Sequence, residues 1–176
     1  LVIIPLAFNA DPYFTYPIKA WSLRWFIEFF TDEVWQTAVK NSFIIAILAT
    51  LISTTLGTLA SVGLIHRNLP GRALITAILV SPMIVPIVIV AIGAYFFYST
   101  LGIANSLTGI VMAHAALGTP FVVITVTATL AGFDQALFRA ARSLGASPWR
   151  AFWRITFPLL RPALRRGMAF AAATAV

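Results

Sequence analysis

The strongest constraint on this chain is a gap in its charge pattern. From Ala73 to Phe133 there is no Asp, Glu, Lys or Arg. A soluble domain has about one charged residue in four, so a stretch like this does not belong on a solvated surface. The whole chain follows suit, with 60% hydrophobic and 10% charged residues and a mean hydropathy of +0.94. A 19.1 kDa globule has too little interior to hide that much apolar surface, so part of its solvent must be lipid. There is no cysteine, which excludes disulfides and thiolate metal sites. No signal-peptide pattern is visible. Both ends, "LVIIPLAF" and "RRGMAFAAATAV", lie in apolar runs, so the sequence reads as a fragment cut inside membrane segments.

Three runs are long enough to cross a bilayer: Asn41 to Ile65, Ala73 to Tyr98 and Leu107 to Ala131. As helices of about 25 residues they would be about 37 Å long, enough for a ~30 Å hydrocarbon core with tilt. Residues 1–8 read as the tail of an earlier span and residues 163–176 as the start of a later one. The net charge of +7 is not spread evenly. "HRNLPGR" (66–72) holds two arginines, and 132–166 holds seven arginines against one acid, Asp134. The segment 9–40 carries four of the five acids and three bases, and the 99–106 turn has no charge. The positive-inside rule puts 66–72 and 132–166 in the cytoplasm, and 9–40 and 99–106 outside. Basic residues beside apolar runs point to a membrane edge and not to a nucleic-acid partner.

The outer segment is rich in rings: Tyr13, Phe14, Tyr16, Trp21, Trp25, Phe26, Phe29, Phe30 and Trp35. It fits an interfacial helix at the headgroups, and it also fits a docking surface for an external partner.

The basic stretch "RAARSLGASPWRAFWRITFP" (139–158) carries its own punctuation. Asp134 can cap a helix that begins at Gln135. Leu137, Ala140, Ala141 and Leu144 share one apolar face with an alanine-lined middle. Gly145 suits a left-handed C-cap, and Ser147-Pro148 is a fresh N-cap with proline at the first helical position. Trp149, Phe152 and Trp153 then form a second apolar face, and Pro158 and Pro162 interrupt that helix before the chain re-enters the membrane. The expectation is helix, glycine break, helix. Arg150 and Arg154 repel at i, i+4 unless an anionic groove or lipid phosphate lies nearby. The stretch fits a lipid-held amphipathic helix, and it fits a protein-docking surface of small residues flanked by Trp and Arg.

The order Ala140-Ala141, three residues, Gly145, nine residues, Ile155, one residue, Phe157-Pro158 resembles the Glu-Ala-Ala loop of binding-protein-dependent ABC importer permeases. That signature reads Glu-Ala-Ala, three, Gly, nine, Ile, one, Leu-Pro. Arg139 stands where the family has Glu, and Phe157 where it has Leu. "WSLRWFIEFF" before "NSFIIA", and "GTPFVVITVTATLAGFDQALFRAARSLGAS", are similar to other parts of these permeases, above all the spermidine/putrescine-type group.

The resemblance implies an all-α, polytopic transmembrane helix bundle of the type I ABC importer permease fold. Residues 1–176 would be one permease domain truncated at both ends, with three complete spans and two partial ones, out of six in the intact subunit. Residues 132–162 would be its cytoplasmic coupling loop. It further implies a bacterial inner (plasma) membrane location, a cytosolic ATPase dimer, a second permease subunit, an extracytoplasmic solute-binding protein and surrounding membrane lipid. The loop residues that would contact the ATPase are Arg139, Ala140, Ala141, Leu144, Gly145, Ala146, Ser147, Ile155 and Pro158. The chain would import a small, polyamine-like solute and hold no cofactor, ATP being bound by the partner.

The residues themselves offer candidates for the translocation path. Polar or kinking groups inside spans are Ser81, Pro82, Pro86, His114, Thr119 and Pro120. Each also has a structural reading: a static kink for the prolines, a packing role for His114, and back-bonding to the helix for Thr119 and for Thr125, Thr127 and Thr129. Ser53, Gly57 and Ser61 form a small-xxx-small ridge suited to helix packing. No phosphate-binding Gly-x-x-x-x-Gly-Lys-Ser/Thr loop, acid pair or Ser-His-Asp spacing is present, so the chain does not read as an enzyme. The complete spans hold no acid, so a polyamine would depend on carbonyls, aromatic rings, other spans or the second subunit. A secondary transporter or channel without an ATPase is the alternative. It leaves the ordered basic loop unexplained, and the lack of Asp, Glu, Lys or Arg inside the complete spans disfavours proton coupling.

Overall fold

The computed structural model describes residues 3–13, 16–65 and 69–175. Phe14 of the ring-rich segment and His66 and Arg67 of the first basic loop lie outside the described residues. The chain forms two compact units, Leu1–Phe43 and Ile44–Val176. Every regular element among the described residues is helical.

In the first unit, α1 (Ile3–Leu6) leads into a loop closed by an antiparallel bridge between Asn9 and Trp21. The Ser22 N–H donates to the Phe8 carbonyl at 2.8 Å, and the Ala10 N–H to the Ala20 carbonyl at 3.0 Å. Helix α2 (Arg24–Thr31) follows, and α3 (Glu33–Leu64) starts at once, with the Asp32 carboxylate accepting from the Val34 N–H at 2.7 Å. The expected interfacial helix is thus a closed loop plus a two-turn helix. The long helix begins at Glu33 and not at Asn41. Lys40 marks where the apolar run begins, which need not be where a helix begins.

In the second unit, α4 (Arg72–Ile84) and α5 (Ile87–Thr100) share the span expected over 73–98, broken beside the Ser81, Pro82 and Pro86 that were expected to interrupt it. They meet at a bend of 109°. The chemistry of the break is local. Pro82 cannot donate to the Ile78 carbonyl, and the Ser81 hydroxyl does so instead, at 2.8 Å. Val85 and Pro86 then turn extended, with ψ of 135° and 130°. Each half is about 20 Å long, too short to cross alone. Helix α6 (Leu107–Ala131) matches its expected span residue for residue, capped by Ser106, whose hydroxyl accepts from the Gly109 N–H at 3.0 Å.

Packing fixes the directions. A Cβ on Gly118 would lie 3.2 Å from Ser53 Oγ, one on Gly57 would lie 2.7 Å from Val122 Cβ, and Ser61 Oγ donates to the Val123 carbonyl at 3.3 Å. The partner numbers rise together, so α3 and α6 run parallel. Two parallel spans require the chain between them to return to the far end. Helices α4 and α5 therefore make one broken crossing together, and not a loop that enters and leaves on the same side.

After a tip at 132–156, the last helix, α9 (Phe157–Ala173), runs back along α6. His114 Nδ1 meets the Thr174 carbonyl at 2.8 Å, Phe121 stacks on Phe170 at 5.7 Å, and Leu130 and Leu160 share one core cluster. As residue numbers rise on one helix they fall on the other, so the pair is antiparallel. Val62 and Ile65 of the α3 terminus pack on that same cluster. The end of α3 and the hairpin tip thus lie at one end of the bundle.

Candidate functional site

The tip is built by local rules. The Asp134 carboxylate accepts from the Ala136 N–H at 2.8 Å and starts α7 (Gln135–Ser143). Gly145 ends it at φ +82°, where a side chain would be strained. The Ala146 N–H reaches back to the Ala141 carbonyl and the Gly145 N–H to the Arg142 carbonyl, each at 3.0 Å, as in a Schellman closure. Ser147 then caps α8 (Pro148–Ala151), its hydroxyl accepting from the Arg150 N–H at 3.3 Å. Helix, glycine break and helix are all as the sequence predicts.

The second helix does not stop where expected. Pro158 and Pro162 were expected to interrupt it, yet α8 continues through a π-helical turn (Phe152–Thr156) directly into α9. Pro158 sits in the first turn of α9, where a missing N–H costs least, and Pro162 is carried inside the helix. The wider turn closes on an i→i+5 bond from the Phe157 N–H to the Phe152 carbonyl. The returning helix therefore starts at 157 and not at 163. Tip and stem are joined by continuous helix, which can transmit a displacement.

The tip leaves its apolar faces uncovered. Leu144 is 88% exposed, Trp149 69% and Leu137 50%. Ala140 is exposed and Ala141 half-buried beside them. Trp149, Phe152, Trp153 and Phe157 pack ring on ring, at 5.4 Å for Trp149–Trp153 and 4.6 Å for Trp153–Phe157. This makes a stiff aromatic ledge with an open outer face. Ile155 is half-buried in the π-helical turn, and Pro158 faces outward. Among the described residues the arginines of this end have no carboxylate within ion-pair distance. Arg139 is one of them, and Arg161 lies over the Phe157 ring at 5.4 Å. An exposed leucine, open tryptophans and uncompensated cations make a surface complementary to an apolar groove with acidic or phosphate edges.

The path candidates fall into two places. Ser81, Pro82 and Pro86 form the α4/α5 break described above. His114, Thr119 and Pro120 lie on α6. A carbonyl only accepts, so His114 carries its proton on Nδ1 and ties α6 to the end of α9. Thr119 Oγ1 donates to the Ala115 carbonyl at 2.7 Å, and Pro120 is fully buried. Thr125 and Thr129 also bond back to their own helix. The sequence reading passed over Thr50 and Thr54 of α3. Their hydroxyls, with that of Thr127, are buried and have no hydrogen-bond partner. Their i, i+4 spacing on an apolar span was the available signal.

Residues 53–176 match the family described as binding-protein-dependent transport system inner membrane component. The spermidine/putrescine transport system permease protein PotC of Haemophilus influenzae is 27% identical over 95% of this chain and 65% of its own length. The probable sulfate transport system permease protein cysT of Chlorokybus atmophyticus is 33% identical over 91% of this chain and 63% of its own. The putrescine transport system permease protein PotI of Escherichia coli K12 is 28% identical over 95% and 62%. The chain thus spans a little under two thirds of the length of these relatives, which are named as transport permeases and not as enzymes. Their family is one of inner-membrane proteins, and α3 and α6 are long and apolar enough to cross a bilayer. The helical bundle and the matched residues lead to one statement: this chain belongs to the binding-protein-dependent transport inner-membrane component family.

Proposed function

We propose that the chain is part of the membrane-spanning permease subunit of an ATP-driven ABC importer, and that residues 135–158 dock it to a cytosolic ATPase dimer. The observation that carries this reading is the tip: its helix caps are satisfied locally, yet Leu144 and the outer face of Trp149 stay exposed. ATP is bound by the partner, and this chain holds no cofactor of its own. Closure of the ATPase dimer moves the docked α7–α8 unit, and the continuous helix from 148 to 173 carries that movement into the stem. A nucleotide shifts such an equilibrium only if contacts at the tip differ between the two states. The contact set is Arg139, Ala140, Ala141, Leu144, Gly145, Ala146 and Ser147, with Ile155 and Pro158 setting the angle of the return.

A second permease subunit, identical or different, completes the path. Helix α5 buries none of its own residues and has apolar surface for such a partner or for lipid. The three unpartnered threonine hydroxyls, with Ser81, Pro82, Pro86, His114, Thr119 and Pro120, are the path residues of this reading. An extracytoplasmic binding protein delivers the cargo, a small solute. A polyamine-like cargo is the finer reading, supported by the polyamine names among the relatives and opposed by the sulfate name.

The chain has no cysteine, so Leu144→Cys and Trp149→Cys each place a single thiol in it. Both are expected to cross-link to the nucleotide-binding subunit in inner-membrane vesicles. Capture of no soluble component from either position, or labelling of both from the outer side, would overturn the reading.

A further inference from the structure

The packing of α9 on α6 sets two arginines deeper than their charge suggests. A Cβ on Gly167 would lie 3.2 Å from Val122 Cα and 3.0 Å from Thr125 Oγ1, and Phe170 stacks on Phe121. Arg165 and Arg166 therefore stand level with Thr125 and its neighbours, about six residues before α6 ends at Ala131, or about 9 Å along the helix axis. The charge pattern counts them with the cytoplasmic segment 132–166; the packing puts them beside an apolar span. Helix α6 is about 37 Å long against a hydrocarbon core of ~30 Å, so each end projects about 3–4 Å, which leaves the two arginine backbones about 6 Å inside the core. Leu160, Ala163, Gly167 and Ala171 are the buried line of α9, so Arg165 and Arg166 straddle its opposite side, and both are exposed. Arg161, one turn nearer the tip, flanks Arg165 and lies over the Phe157 ring. No acid of this unit answers them. Asp134 is the single acid from 44 to 176, and its carboxylate caps α7.

We propose that Arg161, Arg165 and Arg166 hold an acidic glycerophospholipid, such as phosphatidylglycerol, by its phosphate at the cytoplasmic edge of the bilayer. A guanidinium is costly to leave in hydrocarbon. Helical side chains lean towards the helix N-terminus, and the N-terminus of α9 is its tip end, so the long stems carry the charged heads out to the level of the lipid phosphates. There the guanidinium fork matches a phosphate in geometry and charge. Arg161 and Arg165 repel each other at i, i+4, and an anion between them removes that cost. The lipid must be acidic, because a zwitterionic headgroup brings its own cation to the phosphate. Deeper in the bilayer than the arginines, Met168 and Phe170 are exposed and offer apolar surface to the acyl chains. A lipid here needs the depth of the hairpin and not the docking of the tip, so either reading can fail without the other.

The test is native mass spectrometry of the assembled permease in detergent, titrated with phosphatidylglycerol or with phosphatidylcholine of the same chain length. The first phosphatidylglycerol should bind at least about fivefold tighter than the first phosphatidylcholine, the worth of one arginine near an acidic lipid. Arg165→Gln/Arg166→Gln should remove most of that preference and leave phosphatidylcholine binding as it was. Arg150→Gln/Arg154→Gln takes the same charge from the tip, where salt screens it, and should keep the preference within about twofold of the parent. Glycerol 3-phosphate, which carries the head without the chains, should displace no lipid. An unchanged preference in the Arg165/Arg166 variant, or an equal loss in both variants, would overturn the proposal. Displacement by glycerol 3-phosphate would overturn it in favour of a site for a free anion. Failure of the Arg165/Arg166 variant to assemble would overturn it in favour of an ion pair with another subunit.

Discussion

Gly57 and Leu144 stand at opposite extremes of packing. At Gly57 the backbone of α3 comes so close to α6 that an added Cβ would sit 2.7 Å from Val122 Cβ. At Leu144 the side chain is 88% exposed. Around Gly57, Ser53, Ser61, Val122 and Val126 are all buried within the chain's own stem. Around Leu144, the polar groups that the caps use are satisfied and the apolar ones are not covered. The stem is therefore explained by its own contacts. The tip folds by local rules but has an apolar surface that only something outside the chain can account for. Mutations should separate the two: stem changes should act on stability and tip changes on coupling.

The largest expected effect is at Gly57→Leu. Neither Val122 nor the Thr119 carbonyl, 3.3 Å from the same point, can retreat without separating α3 from α6. Overpacking of this kind costs about 1–3 kcal/mol, and more where backbone is in the way. The yield of assembled complex and its thermal midpoint should both fall sharply. A normal yield with a normal midpoint would remove the contrast between stem and tip.

Leu144→Asp should do the reverse. An exposed substitution usually changes stability by less than about 0.5 kcal/mol, so the midpoint should hold. Burying a leucine in a partner's groove is worth about 1.5–3 kcal/mol, which is roughly a tenfold to hundredfold loss in ATPase affinity. Purified ATPase titrated onto the permease in nanodiscs measures it. Undiminished affinity would mean that the tip docks by another face.

Gly145→Val is expected to act more gently, and on coupling, not on affinity. A β-branched residue in the left-handed region costs about 1–2 kcal/mol, spread between a frayed α7 end and a misaligned α8. ATP hydrolysis should continue while solute uptake drops, with the stem's melting unchanged. Uptake at the parental rate per ATP would show that the angle between α7 and α8 is not part of the coupling.

Much of this molecule was legible in the sequence because its signals are local. The boundaries of α6, the Asp134 and Ser147 caps and the Gly145 break each depend on residues within one turn, and all appear where expected. The Ser53-Gly57-Ser61 ridge was legible too, since small residues at i, i+4, i+8 can serve only close packing. Its partner helix and the parallel direction were not, because no local pattern encodes which helix Gly57 meets. The interruption of the second span was legible at Ser81, Pro82 and Pro86, but the size of the bend, 109°, was not. Apolar composition says that a stretch prefers lipid, but Ser81, Pro82 and Pro86 together decide that it bends. Pro158 and Pro162 were given too much weight, because a single π-helical turn absorbs what looks like a stop. The depth of Arg165 and Arg166 was hidden for another reason. Their charge read as cytoplasmic, and only the close packing of Gly167 on Val122 and Thr125 sets them beside the span.

The smallest effect is the finest test of the stem. Ser61 is fully buried, and its hydroxyl bonds the Gly57 carbonyl at 2.7 Å and the Val123 carbonyl at 3.3 Å. Only the second bond crosses between helices, and it is the longer of the two. Interhelical hydrogen bonds in membranes average about 0.6 kcal/mol, because a lone serine can satisfy itself on its own helix, as this one does. Ser61→Ala should therefore lower the thermal midpoint slightly and leave coupling untouched. Ser61→Val, with the same loss of the hydroxyl but added bulk against Val123, should cost clearly more. If Ala and Val behave alike, the hydroxyl and not the close approach of the two helices holds that end of the stem.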